Sequence, residues 1–366
     1  MMASALDHLA PTLSADLAKL CIRQVRASGR DEPGLIGALE RAGRLKEGVR
    51  KLSDKEMNQL LTDVARTGDP ARGEAIFRRK DMNCQKCHAI AGAGGQVGPG
   101  LESIGASAQP DYLVDSLLEP GKAVKENYHA LVVATSDGKL YTGIKLRQTD
   151  SELVLRDAED REVAIPVNSI EEQKPAGSLM PAGLTEALTR PELIDLVRFL
   201  SQLGKIGPYS VGTDRVLRCW QVLQATPAVK STVAKNGFEA LLSGEQSLNW
   251  RPAYTTAAGK LPLSEWAEPE RTVATAPVAL LRSQLEVTSP GTVKLTFNSA
   301  DALSIWIDGR RVQPVSGSPR QLVLDLTRGL HTIAIAVDLA RRHDGIRCVL
   351  EDIPGSSARA RVVLGK

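Results

Sequence analysis

The hydrophobic period changes along this chain, and those changes limit the folds open to it. Up to residue 66 apolar side chains recur at helical spacing, with Leu13, Leu17, Leu20 and Cys21 marking one face. Between about residues 127 and 170 the period drops to two, and after residue 208 it is two again. A chain of 366 residues with this pattern reads as multidomain α+β. The expected parts are a helical segment over 1–66, the end of a helical-repeat array or a small bundle, then a domain over 67–207 with a β insertion at about 127–170. An all-β sandwich over 208–366 completes the expectation.

Local signals sharpen these spans. Gly29 and Asp31-Glu32-Pro33-Gly34 break the first helix, and a second is expected over Leu35 to Ala42. Ser53 with Glu56 has the form of a capping box, with Leu52 and Met57 as its hydrophobic staple. A helix is expected after Asp69-Pro70, and another over Pro110 to Leu118. The turn Ser136-Asp137-Gly138 separates Leu131-Val132-Val133 from Leu140-Tyr141-Thr142 and predicts a hairpin. Further strands are expected at Leu153-Val154-Leu155 and Val163-Ala164-Ile165. A helix capped by Thr189 and Glu192 should bury Leu193, Leu196, Val197, Leu200 and Leu203 and stop at Gly204. In the last third, runs such as Leu303-Ser304-Ile305-Trp306-Ile307 and His331 to Val337 alternate, with Asp308-Gly309 and Arg328-Gly329 as turns.

Chemistry concentrates in Cys84-Gln85-Lys86-Cys87-His88. Two thiols three positions apart lie on one helical turn, where both reach the vinyl groups of one porphyrin, and the adjacent imidazole can meet the iron. With five Cys and five His in the chain, the motif arises by chance in roughly one such chain per thousand. A zinc site needs a second ligand pair at matching spacing. A redox dithiol needs a βαβ context, whereas the glycine-rich stretch from Gly92 to Gly100 follows here. The reading is therefore one covalent haem c on Cys84 and Cys87, with His88 as proximal ligand. For the second axial ligand the candidates are Met57, Met82, Met180, His129 and His8. Met57 is explained by packing, Met82 is too close to the motif to reach the far face, and His8 reads as a surface residue. Met180, in Ser178-Leu179-Met180-Pro181 before the terminal helix, is the first choice, and His129 is the alternative.

These residues resemble a class I cytochrome c. Gly73-x-x-x-Phe77 is similar to that family's N-terminal helix, whose glycine admits the C-terminal helix, and Phe199 corresponds to the partner aromatic. Gly98-Pro99-Gly100-Leu101 is similar to the segment whose proline carbonyl accepts a hydrogen bond from the proximal imidazole, and Met180-Pro181 to its ligand loop. The resemblance implies an all-α cytochrome c domain, here carrying the β insertion. With that insertion, residues 67–205 resemble the haem-binding domain of large exported, membrane-bound dehydrogenase-like proteins, in which a propeller and helical repeats come first. The C-terminal region more loosely resembles a protective-antigen-type β-sandwich, on Leu303 to Gly309 and Arg328 to Ile333. Such modules often bind glycans, though no Asp-Asp pair stands here for a calcium site, and a spacer is the plainer reading.

The function implied is an electron carrier rather than an enzyme, because two filled axial positions leave the iron no open site. Its donor would be a redox partner protein or an upstream dehydrogenase domain. The alternatives are a carbohydrate-binding or adhesion protein with an accessory haem, and a peroxidase-like enzyme with five-coordinate iron. A formal net charge of +3 with well-mixed signs speaks against nucleic acid as partner. No run of 18 apolar residues offers a transmembrane segment. Met1 to Asp7 has neither the basic nor the apolar region of a secretory signal. Haem attachment to cysteines happens outside the cytoplasm, so a periplasmic or exported location is expected, with this chain a piece of a longer protein. Cys219 and Cys348 are read either as a disulfide or as two buried thiols.

Overall fold

The computed structural model describes residues 13–30, 32–45, 51–242, 248–266, 278–315 and 320–364. His8 and the stretch Met1 to Asp7 lie outside the described residues. The chain divides into two compact units, one of residues 1–88 with 96–207 and one of residues 89–95 with 208–366.

The first unit opens with α1 (Ala15–Ala27), α2 (Pro33–Ala42), α3 (Asp54–Thr67), α4 (Pro70–Phe77) and α5 (Cys84–Cys87). The two-residue strands β1 (Ala89–Ile90) and β2 (Ala93–Gly94) come next in the chain and belong to the second unit. The first unit resumes with α6 (Ile104–Ser107), α7 (Pro110–Leu118), strands β3 (Ala130–Thr135), β4 (Leu140–Gln148), β5 (Glu152–Arg156), β6 (Glu162–Pro166) and β7 (Ile170–Gly177), and α8 (Arg190–Leu200). Caps set the helix starts. Ser53 and Glu56 exchange side chain-to-backbone bonds at α3, and Thr189 and Glu192 do the same at α8. Asp69 accepts from the Ala71 and Arg72 amides at α4, with Pro70 as its first residue. Leu60 and Val64 of α3, Val114 of α7, and Ile194 and Val197 of α8 form one core, against which Leu52 and Met57 also pack.

The expected all-α domain with a β insertion is corrected here. Strands β3 to β7 form an antiparallel sheet in the order β6-β5-β4-β3-β7. Val133, Leu153, Leu155 and Ile165, each at most 1% exposed, give that sheet a core of its own. The sheet also runs past the expected limit of the insertion, because β7 pairs with β3. The last third is not all-β either: α9 (Pro227–Asn236) and α10 (Glu239–Leu242) put Val229, Val233 and Leu241 into a core with Leu223, Leu280 and Trp306. Among the described residues the chain is 29% helix and 32% strand, with 10 helices and four sheets, so it is β-rich. No helix among the described residues is long and apolar enough to cross a membrane.

The second unit stacks two antiparallel sheets over one core. Its strands are β8 (Arg215–Val216), β9 (Cys219–Leu223), β10 (Trp250–Tyr254), β11 (Val278–Ser289), β12 (Gly291–Phe297), β13 (Leu303–Ile307), β14 (Arg310–Val312), β15 (Gln321–Leu326), β16 (Gly329–Asp338), β17 (Cys348–Asp352) and β18 (Arg359–Val362). One sheet runs β10-β9-β11-β16-β13-β14 with β18 beside β11, and the other runs β15-β12-β17-β8. Trp220, Leu281, Ile305 and Ile335 of the first meet Leu295, Phe297, Leu322 and Leu350 of the second in one cluster. Each such side chain contributes about 1.5–3 kcal/mol by leaving water. Cys219 stands in one sheet and Cys348 in the other, and both are thiols rather than a bridge. The Cys219 thiol donates to the Gly92 carbonyl at 3.0 Å, and burial raises the pKa of the Cys348 thiol.

His331 is a buried charge device in this unit. Its Nδ1 lies 2.6 Å from a carboxylate oxygen of Asp308, and its Nε2 lies 2.8 Å from the Thr327 carbonyl. Both neighbours only accept, so the ring satisfies both bonds only as the doubly protonated imidazolium. Burial works against that charge, but the Thr327 carbonyl and Asp308 outweigh it and raise the pKa above its ordinary 6.5. The stabilisation is thus complete below 6.5 and is lost as pH rises through the higher folded value. Urea midpoints of the second unit should fall between weakly acidic and alkaline pH, and His331→Gln should flatten that slope. An unchanged slope in the variant removes His331 as its source.

Candidate functional site

The segment leading into the cysteine motif is pinned from both sides. Met82, 1% exposed, closes a 3₁₀ turn over Lys80–Met82. Asn83 then takes a left-handed conformation at φ +54°, one that Asn tolerates better than most residues. Arg79 pairs with Asp81 at 2.9 Å and with Glu192 at 2.7 Å. Glu192 also takes two bonds from Arg23, at 2.6 and 2.7 Å, and one from the Thr189 amide. Burial alone would raise the Glu192 pKa, but Arg23, the Thr189 amide and Arg79 hold it down to about 2. One carboxylate thereby joins α1, the start of α8 and the approach to Cys84.

Cys84 and Cys87 occupy the first and last positions of the single-turn helix α5, both half-buried. Burial pushes the Cys84 thiol up to about 11. That is the opposite of the shift a reactive thiolate needs. His88 follows, its amide donating to the Cys84 carbonyl at 2.8 Å. Its Nδ1 lies 2.9 Å from the carbonyl oxygen of Pro99. A carbonyl only accepts, so Nδ1 carries the proton, and the neutral ring keeps its lone pair on Nε2. Burial lowers the His88 pKa and so favours that neutral form. Gly98 lies against the ring face: a Cβ there would stand 2.4 Å from Cε1, so only glycine lets the backbone lie this close.

In the same unit, α4 crosses α8 at very short range. A Cβ on Gly73 would stand 2.0 Å from the Asp195 carbonyl oxygen and 2.6 Å from the Phe199 Cβ. Phe77 and Phe199 meet at a tilt of 49°, with ring centroids 5.8 Å apart. Asp195, 4% exposed, accepts from the Asp69 amide at 2.7 Å and from Arg72 at 2.7 and 3.1 Å. The crossing is thus locked by a buried carboxylate as well as by ring packing.

The remaining candidates are placed as follows. Met180 sits half-buried in the loop between β7 and α8, its amide donating to Ser178 Oγ at 3.1 Å. His129 is exposed immediately before β3. Met57 and Met82 are occupied by packing. The structure thus joins His88 to Pro99 and sets Cys84 and Cys87 on one turn, while the Met180 amide bonds within its own loop. It also brings in residues that no motif announces. Gln96 donates its amide to Asp160 at 3.2 Å and receives Arg156 on its carbonyl and side-chain oxygens at 3.1 and 3.0 Å. The only sequence signal for these is the hairpin between β5 and β6, which says nothing of what its tip touches.

The donor set fits a covalently held porphyrin: two thiols on one helical turn, followed by a neutral imidazole whose Nδ1 is held by the Pro99 carbonyl. No known protein-family model matches the chain, and comparison with curated proteins finds no match either.

Proposed function

We propose that this chain is a c-type cytochrome electron-transfer module, in which Cys84 and Cys87 would hold one haem and His88 and Met180 would bind its iron. The observation that carries the proposal is the His88 Nδ1–Pro99 bond at 2.9 Å directly after the two thiols on α5. When bound, haem c supplies reversible one-electron chemistry at its iron. The protein's own residues do the rest. Cys84 and Cys87 would fix the porphyrin by two thioether bonds. Pro99 holds the His88 tautomer and orients the ring, as the hydrogen-bond partners of metal ligands commonly do. Met180 would offer a thioether, which favours a higher potential than a second imidazole. A dehydrogenase, as a separate redox partner protein or an upstream domain, would donate the electrons, in a periplasmic or exported setting.

Spectroscopic titration tests this. The loaded protein should show a reversible couple of one electron, and its ferric form a weak far-red band from a thioether on low-spin iron. Met180→Ala should lose that band and take up cyanide readily, while His129→Ala should keep it. A band that survives in Met180→Ala and vanishes in His129→Ala reassigns the ligand to His129. Absence of any reversible couple rejects the electron-transfer reading.

A further inference from the structure

We propose that Arg156 and Asp160, on the hairpin between β5 and β6, are positioning residues for the His88 imidazole. They sit about sixty residues from Gln96 in sequence, yet they hold the loop that supplies the imidazole's partner. Asp160 accepts the Gln96 amide at 3.2 Å, and one Arg156 nitrogen donates to both the carbonyl and the side-chain oxygen of Gln96. Two residues on, the Gly98 amide donates to the Cys87 carbonyl at 2.8 Å. The next residue is Pro99, whose carbonyl receives His88. The segment from Gln96 to Pro99 is therefore anchored to the hairpin at one end and to the cysteine motif at the other.

Such an anchor matters because this stretch is rich in glycine. Gly94, Gly95, Gly98 and Gly100 surround it, and glycine backbone loses more freedom on ordering than any other. A carbonyl in such a loop holds its place only where the loop is tied down. On the hairpin side the tie is held in place: the side chains of Arg156 and Asp160 are 15% and 8% exposed and 3.5 Å from one another. Glu162 backs Arg156 from the next strand at 3.0 Å. Asp160 itself is left-handed at φ +64°, its amide bonded to the Asp157 carbonyl, which fixes the tip of the hairpin. The β sheet of the first unit thereby acts on the motif through the backbone of Gln96.

The inference rests on the proposed role of His88 for its meaning, but its test does not require haem. In the full chain produced without haem attachment and labelled with ¹⁵N-histidine, the ring-nitrogen shifts report which tautomer His88 adopts. Wild type should hold the Nδ1-protonated form. Asp160→Gly keeps the left-handed backbone but removes the acceptor, and Arg156→Met removes the donor. Each should lower the ratio of Nδ1- to Nε2-protonated His88 by at least about fivefold, since the bond at one nitrogen sets the tautomer at the other. Asp160→Asn retains both the conformation and an acceptor oxygen and should stay within about twofold of wild type. In the loaded protein the midpoint potential should move in Asp160→Gly and return in Asp160→Asn. A wild-type tautomer ratio in either folded variant, Asp160→Gly or Arg156→Met, overturns the inference. Failure to acquire haem would overturn the proposed function and leave the tautomer measurement standing as a test of the clamp.

Discussion

Secreted through a cytochrome c maturation pathway behind an added signal peptide, this chain should emerge red and keep its colour through denaturing electrophoresis. Acidified organic solvent should extract no haem from it, because thioether bonds to Cys84 and Cys87 survive conditions that release a merely coordinated porphyrin. Cys84→Ala with Cys87→Ala should be colourless on the gel, a complete loss of signal rather than a graded one. Each single variant should retain less covalent haem than wild type, since one bond must then do the work of two. His88→Ala should leave the thiols in place but remove the imidazole that Pro99 orients. Colourless wild-type protein, or haem that washes out with solvent, would sink the central proposal.

The second large effect is expected at Gly73. Its Cβ position is 2.0 Å from the Asp195 carbonyl oxygen, which is backbone and has nowhere to swing. Gly73→Ala must therefore part α4 from α8. That disturbs the 5.8 Å contact of Phe77 with Phe199 and the bonds of Asp195 to Asp69 and Arg72. Overpacking of this kind costs about 1–3 kcal/mol and sometimes more, and a buried carboxylate losing its donors adds to it. A net loss of about 3 kcal/mol, after the gain of about 1 kcal/mol in helix propensity, is expected in the first unit. Gly37, inside α2, is the control: the nearest atom to its Cβ position is the end of Arg41 at 3.5 Å. Gly37→Ala should be neutral or stabilising by up to about 1 kcal/mol. Equal denaturant midpoints for the two variants would show that the crossing tolerates a methyl group after all.

Signals that act within a few residues are legible in the sequence itself. The capping pairs Ser53–Glu56 and Thr189–Glu192 are of this kind, because both partners lie on one helical turn. So is the hairpin at Asp137-Gly138, where Gly138 must adopt φ +77°. Strand β7 is not: Glu171, Glu172, Gln173, Lys174 and Pro175 are all exposed, so an edge strand with water on both faces leaves no alternation to find. The helix over Pro227–Asn236 is masked by the strand patterns around it, although Thr226 with Pro227 is a fair start signal. At the candidate site, the cysteines and His88 announce themselves by spacing. The hold of Arg156 and Asp160 on Gln96 spans about sixty positions and depends on a register between strands, which no local pattern encodes. The same holds for Cys219 and Cys348, whose shared region of sequence hides their separation onto different sheets.

The carboxylate of Glu192 ties three stretches of chain that lie far apart in sequence, through Arg23, Arg79 and the Thr189 amide. Its consequence is historical as much as mechanical. Losing Glu192 would leave Arg23 with the Ala187 carbonyl and Arg79 with Asp81, and two guanidinium groups facing an empty centre, while losing either arginine leaves the acid short of a partner. Drift at any one of positions 23, 79 and 192 is therefore penalised until another changes with it. Lineages descended from this chain should swap the trio together or leave it untouched, so that the approach to Cys84 is inherited as a block.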